Sequence, residues 1–189
     1  MKLQPITNNL HYTEAQTRFA RALGAARSGD PASAEKEVEQ LARLRDALKA
    51  AKDAYWATEV EVSRLAASAW TALTLGRKEE AVKLMRSAAD IEDKTEKHIV
   101  TPGRIVPARE LLGEMLLELK RPAEALKEFE TSQTREPNRF HGFAGAARAA
   151  AESGDSIKAK QHYTRLVELV GKGDGRPEVA SAKAFLAQR

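Results

Sequence analysis

The 189-residue chain contains no cysteine, which excludes disulfide bonds and thiolate metal sites. Aromatic residues make up only 5% of it, and no apolar run approaches the roughly 20 residues that a helix needs to span a bilayer. The first twelve residues lack the charged start, the apolar core and the small-residue cleavage site of a signal peptide. We therefore expect a cytoplasmic protein that does not insert into a membrane.

Residue patterns that carry catalysis or bind cofactors are also missing. No two of the four histidines are three or four residues apart, so no helix presents a pair of metal ligands: His11, His98, His141 and His162. There is no nucleophile-elbow pattern, and the glycines of 171–175 lack the preceding strand and the following lysine and serine of a phosphate-binding loop. We expect no enzyme, no catalytic residue, no cofactor and no metal.

The net charge of +4 is spread over a chain in which acidic and basic residues alternate, as on solvated helices. Nucleic-acid binding needs clustered basic residues with interleaved aromatics. The nearest approach to such a cluster consists of Lys158, Lys160, Arg165, Lys172 and Arg176. Because acidic residues interrupt it, we expect no nucleic-acid partner.

Aligning the chain on itself shows a repeated motif of a turn residue, four residues, an alanine, three residues and a larger apolar residue. The four copies are Gly29, Ala34 and Val38; Gly76, Ala81 and Met85; Lys120, Ala125 and Phe129; and Gly154, Ala159 and Tyr163. About fifteen residues with apolar positions at helical spacing precede each turn. The motif predicts antiparallel helix pairs that cross closely at the alanine.

The third copy resembles the tetratricopeptide repeat, because residues typical of that family stand at its offsets over 34 residues. They are Leu112, Gly113, Leu116, Ala125, Phe129 and Pro137. The fourth copy follows 34 residues later, whereas the first two are degenerate, with Arg18 and Leu65 at the opening aromatic position. The resemblance covers about 13–170 and is most regular over 106–170. The chain also resembles the C-terminal region of longer bacterial repeat proteins of unknown function. The resemblance implies an all-α, right-handed superhelix of about four hairpins.

Two spacings depart from a regular array. The crossing alanines Ala34 and Ala81 are 47 residues apart with no breaker cluster between them, which predicts two long helices over 31–52 and 53–75. Tyr55 and Trp56 fall at the bend between these helices, where they either clamp the hairpin end or form an exposed contact. Residues 96–110 contain breakers and predict a loop, which either covers the seam between repeats or projects as a binding loop.

The same reasoning divides the chain into three parts: an irregular segment 1–12, a repeat domain 13–170, and a linker with a C-terminal capping helix over 171–189. The glycines of 171–175 predict a hinge, and Pro177 predicts the start of the last helix. A terminal helix of this kind covers the apolar face that the last repeat leaves open.

The resemblance implies that a peptide or partner helix binds in a concave groove lined by the first helix of each pair. Carried over position by position, the groove residues of interest are Trp70, Glu110, Glu114, His141 and Arg148. Trp70 is either an exposed anchor or a core residue between long helices, and Glu114 and Arg148 are candidates to pair across the groove. No lysine or asparagine occupies the positions with which some family members clamp a terminal carboxylate.

We expect a protein-interaction scaffold. Two alternatives stay open. The chain could be a structural or self-associating segment of a larger repeat protein, with its first repeat making contacts between copies. It could also be a regulatory helical domain of an enzyme whose catalytic part lies elsewhere.

Overall fold

The structure, a computed structural model, describes residues 11–97, 104–171 and 175–187. Within these ranges the chain forms nine α-helices and no strand: α1 His11–Arg27, α2 Pro31–Ala50, α3 Ala54–Thr74, α4 Lys78–Lys94, α5 Ala108–Glu118, α6 Pro122–Arg135, α7 Phe140–Glu152, α8 Ser156–Val170 and α9 Pro177–Ala187. The predicted all-α fold of helical hairpins is confirmed. Residues 98–103 of the predicted loop 96–110 and 172–174 of the glycine hinge lie outside the described residues, as do residues 1–10 of the predicted irregular segment, whose last two residues belong to α1.

The chain divides into two compact units, 1–108 and 109–189. In the first unit α1 packs on α2, α2 on α3 and α3 on α4, and α1 also contacts α3. In the second unit α6 packs on α7, α7 on α8, and α8 on α9. Each unit thus contains two of the hairpins that the repeat motif predicted.

The four alanines of the motif lie where the helices of each hairpin cross. Ala34, Ala81, Ala125 and Ala159 are all completely buried. A methyl group is the largest side chain that allows two helix backbones to approach closely, so a bulkier residue here would force the hairpin apart. The repeat spacing read from the sequence therefore marks the helix contacts in the structure.

The turn residue of each motif ends the first helix in the left-handed conformation. Gly29, Gly76 and Gly154 have φ of +83°, +78° and +84°, and Lys120 has φ of +59° at the same position. Glycine adopts this region without steric cost, whereas a residue with a Cβ does not. In the first and fourth turns the next residue is an aspartate, whose carboxylate accepts a hydrogen bond from a backbone N–H three residues on and so caps the second helix.

The two predicted long helices are α2 and α3, with 20 and 21 residues. The Trp56 ring stacks on Tyr12 of α1 at a centroid distance of 4.1 Å, and Tyr55 meets Trp56 edge-on at 5.0 Å. These contacts tie the start of α1 to the bend between α2 and α3. They favour the clamp interpretation of the two aromatics over an exposed contact.

Phe129 of α6 is a buried aromatic residue of the second unit and is 1% exposed. A Cβ added to Gly113 of α5 would lie 2.6 Å from the Phe129 ring, and one added to Gly145 of α7 would lie 2.3 Å from it. Both glycines are therefore required by close approach of the ring. Phe129 joins three helices because neither α5 nor α7 carries a side chain at the point of contact.

The helix predicted to begin at Pro177 is present as α9. Val179 and Ala182 are 1% and 0% exposed, and Phe185 packs on Tyr163 of α8 with ring centroids 4.8 Å apart. The Arg176 guanidinium lies 3.3 Å from the centroid of the Phe140 ring, which adds a cation–π contact at the start of α9. The side of α8 that carries Tyr163 and Leu166 is thereby covered.

Candidate functional site

The five predicted groove residues are divided between the two units. Trp70 belongs to the first unit, whereas Glu110, Glu114, His141 and Arg148 belong to the second. Each group is therefore described within its own unit.

Trp70 is packed in the interior of the first unit and is 2% exposed. The guanidinium of Arg27, in the last turn of α1, lies 4.7 Å from the centroid of its ring. The indole Nε1 is buried, and no hydrogen-bond acceptor reaches it among the described residues. The structure thus favours the core interpretation of Trp70 over that of an exposed anchor.

Glu110 of α5 is completely buried, although it was predicted to line an open groove. Its Oε1 accepts a hydrogen bond from Nε of Arg139 at 2.9 Å, while its Oε2 has no hydrogen-bond partner among the described residues. Burial raises the pKa of the Glu110 carboxyl above its ordinary value, and Arg139 opposes this rise. Glu110 therefore holds Arg139, the residue before α7, and its own side chain is not accessible to a binding partner.

Two other predicted residues lie close enough to Glu110 to act on its charge. His141 favours the ionised carboxylate and Glu114 disfavours it. His141 is exposed, and Glu114 is half-buried. Glu110, Glu114, Arg139 and His141 thus form one group of charged and polar side chains from α5, from α7 and from the residue before α7. The structure thus brings together three of the five predicted residues.

Arg139 was not predicted to belong to the site. It follows Asn138, which has φ of +61° and turns the chain sharply after Pro137, and it directly precedes α7. The turn directs Arg139 back towards α5, where it meets Glu110. The sequence could have indicated Arg139 only if Glu110, the one buried acidic residue of α5, had been matched with a basic residue just before α7.

Arg148 lies on α7, seven residues after His141, and both side chains are exposed. Seven residues are almost two helical turns, so the two residues share one face about 10 Å apart. Arg148 pairs with Glu152 of its own helix at 3.2 Å. The ion-pair partner that the structure gives Arg148 is thus Glu152, and not Glu114 as considered from the sequence.

The sequence analysis also missed ion pairs inside two hairpins. Arg18 of α1 donates to Glu37 of α2 at 3.1 Å, and Arg109 of α5 donates to Glu128 of α6 at 2.5 Å. Both pairs are 19 residues apart and occupy the same repeat positions. The signal was available at Arg18, which replaces the family's opening aromatic residue, but its partner on the second helix was not considered.

The described residues contain no group of three or more histidine, aspartate or glutamate side chains arranged to hold a metal ion. In the basic cluster, Lys158 pairs with Glu130, and Arg165 pairs with Glu168. No helix in the described part of the chain is long and apolar enough to cross a membrane.

The hairpins, their buried crossing alanines and their left-handed turns define an all-α protein of repeated helical hairpins. No family model and no curated protein matches the sequence. Among solved structures, the chain is similar to MamA AMB-1, with 17% identity, a TM-score of 0.48, and coverage of 89% of this chain and 97% of that one. It is also similar to PilF of Pseudomonas aeruginosa, with 17% identity, a TM-score of 0.45, and coverage of 93% and 89%.

Proposed function

We propose that the chain is a protein-interaction scaffold that binds a peptide or a partner helix along the α5 and α7 surface of the second unit. The observation that carries this proposal is the placement of His141 and Arg148 on one exposed face of α7, together with the half-buried Glu114 of α5, which like His141 acts on the charge of Glu110. Three side chains of both charge signs along adjacent first helices suit an extended segment, whose backbone and side chains need donors as well as acceptors.

The buried pair beneath this surface supports the proposal, because it fixes the surface before a partner arrives. The Glu110–Arg139 contact ties α5 to the residue before α7, and Gln133 of α6 donates to the carbonyl of Gly142 at 3.1 Å. A surface held in this way loses little conformational freedom on binding. Trp70 has no place in the proposed site, since it is packed inside the first unit.

The proposal is tested by placing a photo-reactive amino acid at one of two exposed positions. At His141 it samples the proposed site, and at Gln161 it samples the outer face of α8. Irradiation in cells of the source organism, followed by mass spectrometry, should yield an adduct with one partner protein from position 141 and not from position 161. Adducts from 161 alone, or none from 141, would contradict the proposal.

Self-association is a second candidate, and the exposure of Ile157 favours it. Ile157 of α8 is 74% exposed, which is unusual for a large apolar residue. It lies in a wide, open surface depression of about 650 Å³ along α8, lined by Ser156, Ile157, Lys160, Gln161, Thr164 and Arg165. In the same experiment, this candidate predicts that the adduct from position 161 is a second copy of the chain.

A further inference from the structure

Among the described residues, three side chains bury a polar atom that has no hydrogen-bond partner, and two of these belong to the hairpin of α5 and α6. The two atoms are Oε2 of Glu110, on α5, and Oγ of Ser132, on α6. The residues are 0% and 3% exposed, so bulk solvent does not reach either atom. Burying a polar atom without a partner is costly, and most buried polar atoms in proteins are bonded either to protein or to an ordered water.

Glu110 and Ser132 lie at the same level of their hairpin. Its helices are antiparallel, and Gly113 of α5 lies against the ring of Phe129 of α6. Glu110 precedes Gly113 by three residues, which is about one helical turn. Ser132 follows Phe129 by three residues. Because the two helices run in opposite directions, both steps lead to the same end of the hairpin and stay on the facing sides.

The contacts of α7 support this placement. A Cβ added to Gly142 would lie 3.3 Å from Oε1 of Glu110 and 3.4 Å from Cγ of Gln133, the residue that follows Ser132. One position of α7 thus meets both helices at this level. The two unpartnered oxygens therefore face each other in the interior, beside α7.

The other three hairpins hold apolar residues at the two equivalent positions, fifteen residues before the crossing alanine and seven residues after it. These pairs are Phe19 and Leu41, Ala66 and Ala88, and Ala144 and Leu166. An apolar pair needs no hydrogen-bond partner, whereas a carboxylate needs donors and a hydroxyl both donates and accepts. The third hairpin thus has a hydrogen-bonding requirement that the repeat itself does not impose.

We propose that one buried water molecule bridges the two residues, donating a hydrogen bond to Oε2 of Glu110 and accepting one from the hydroxyl of Ser132. Water meets both needs because it donates and accepts at once, and buried waters typically bind polar groups that have no other partner. Each of the two hydrogen bonds spans about 2.8 Å, so a water can join two oxygens that do not bond each other directly.

The bridge completes the surroundings of the Glu110 carboxylate. Arg139 donates to Oε1 at 2.9 Å, and the water donates to Oε2. With both oxygens bonded, the carboxylate can be ionised in the interior and hold Arg139, the residue before α7. This inference concerns the interior of the second unit and does not depend on the proposed partner binding.

A crystal structure of the full chain tests the proposal without any substitution. We expect one ordered water within about 3.2 Å of both Oε2 of Glu110 and Oγ of Ser132. A direct hydrogen bond between the two side chains, or apolar atoms in place of the water between them, would overturn the proposal.

Ser132→Ala tests the bridge in solution and places there the residue that the second hairpin holds at the same position. Because the water favours the ionised carboxylate, loss of its second partner should move the titration midpoint of Glu110, followed by NMR of its carboxyl carbon, to a higher pH than in wild type. Thr131→Ala is the matched control, since it removes an exposed hydroxyl from the neighbouring position of α6. An unchanged midpoint in Ser132→Ala, or an equal rise in Thr131→Ala, also overturns the proposal.

Discussion

The glycines of this chain differ in whether the surrounding structure leaves room for a side chain. Gly145→Ala should destabilise the protein by about 1–3 kcal/mol, because the added methyl would overlap the Phe129 ring, which is itself fully buried. Urea unfolding followed by circular dichroism measures the change.

Gly24→Ala is the matched control for this prediction. Gly24 lies within α1, and a Cβ there would meet nothing within 4 Å. Alanine should therefore stabilise the protein by about 0.5–1 kcal/mol, because it is the better helix former. Equal effects of the two substitutions would refute the close approach of Phe129 to Gly145.

Glu110 is the residue from which we expect a pH dependence. Its pKa is raised in the folded protein, so the folded state holds the proton more tightly than the unfolded state does. The contribution of Glu110 to stability is therefore fully present below the ordinary carboxyl pKa near 4.5 and is lost as the pH rises through the raised value.

The variant Glu110→Gln imitates the protonated form at every pH. Its free energy of unfolding should match that of wild type at low pH and should exceed it increasingly as the pH rises towards 7. Urea melts at several pH values provide the comparison, and Glu118→Gln on the exposed side of α5 serves as the control. A variant that becomes less stable than wild type with rising pH would show that Arg139 dominates over burial.

Among the elements, the four turns offer an internal comparison. Three of them place glycine in the left-handed conformation, and the third turn places Lys120 there. Lys120→Gly should stabilise the protein by about 0.5–1 kcal/mol, since relief of the steric cost exceeds the added freedom of the unfolded chain.

The reverse substitution, Gly154→Lys, should destabilise the protein by about 1 kcal/mol. Thermal and urea denaturation of both variants measure the two changes. If Lys120→Gly lowers stability, the lysine side chain makes a contribution that outweighs its backbone strain.

The helices were predictable because their signals are local. A turn residue and an alanine five residues on mark each hairpin without reference to distant residues, and in every hairpin but the second a proline or aspartate also stands at the start of the second helix. The long helices α2 and α3 followed from the absence of breakers, and the start of α9 followed from Pro177.

The candidate site was less predictable, because burial depends on side chains far away in the sequence. Glu110 and Trp70 stand at groove positions in the repeat pattern, yet both are buried. Glu110 is covered because Arg139, 29 residues later, turns back onto it. Nothing in the pattern of α5 alone reveals that contact.

For the molecule as a whole, the central claim is that partner binding uses the exposed face of α7. Arg148 and Arg165 form a matched pair for testing it, because each is more than half exposed and pairs with a glutamate of its own helix. Charge reversal at either position changes the net charge equally and removes an equivalent surface ion pair. Only Arg148 lies in the proposed site.

The most direct measurement is affinity capture from lysate of the source organism with wild type, Arg148→Glu and Arg165→Glu, after circular dichroism has shown equal helicity and melting. We predict that one partner is retained by wild type and by Arg165→Glu and is lost by Arg148→Glu. Equal retention of that partner by both variants, or its loss from Arg165→Glu alone, would contradict the assignment of binding to the α5 and α7 surface.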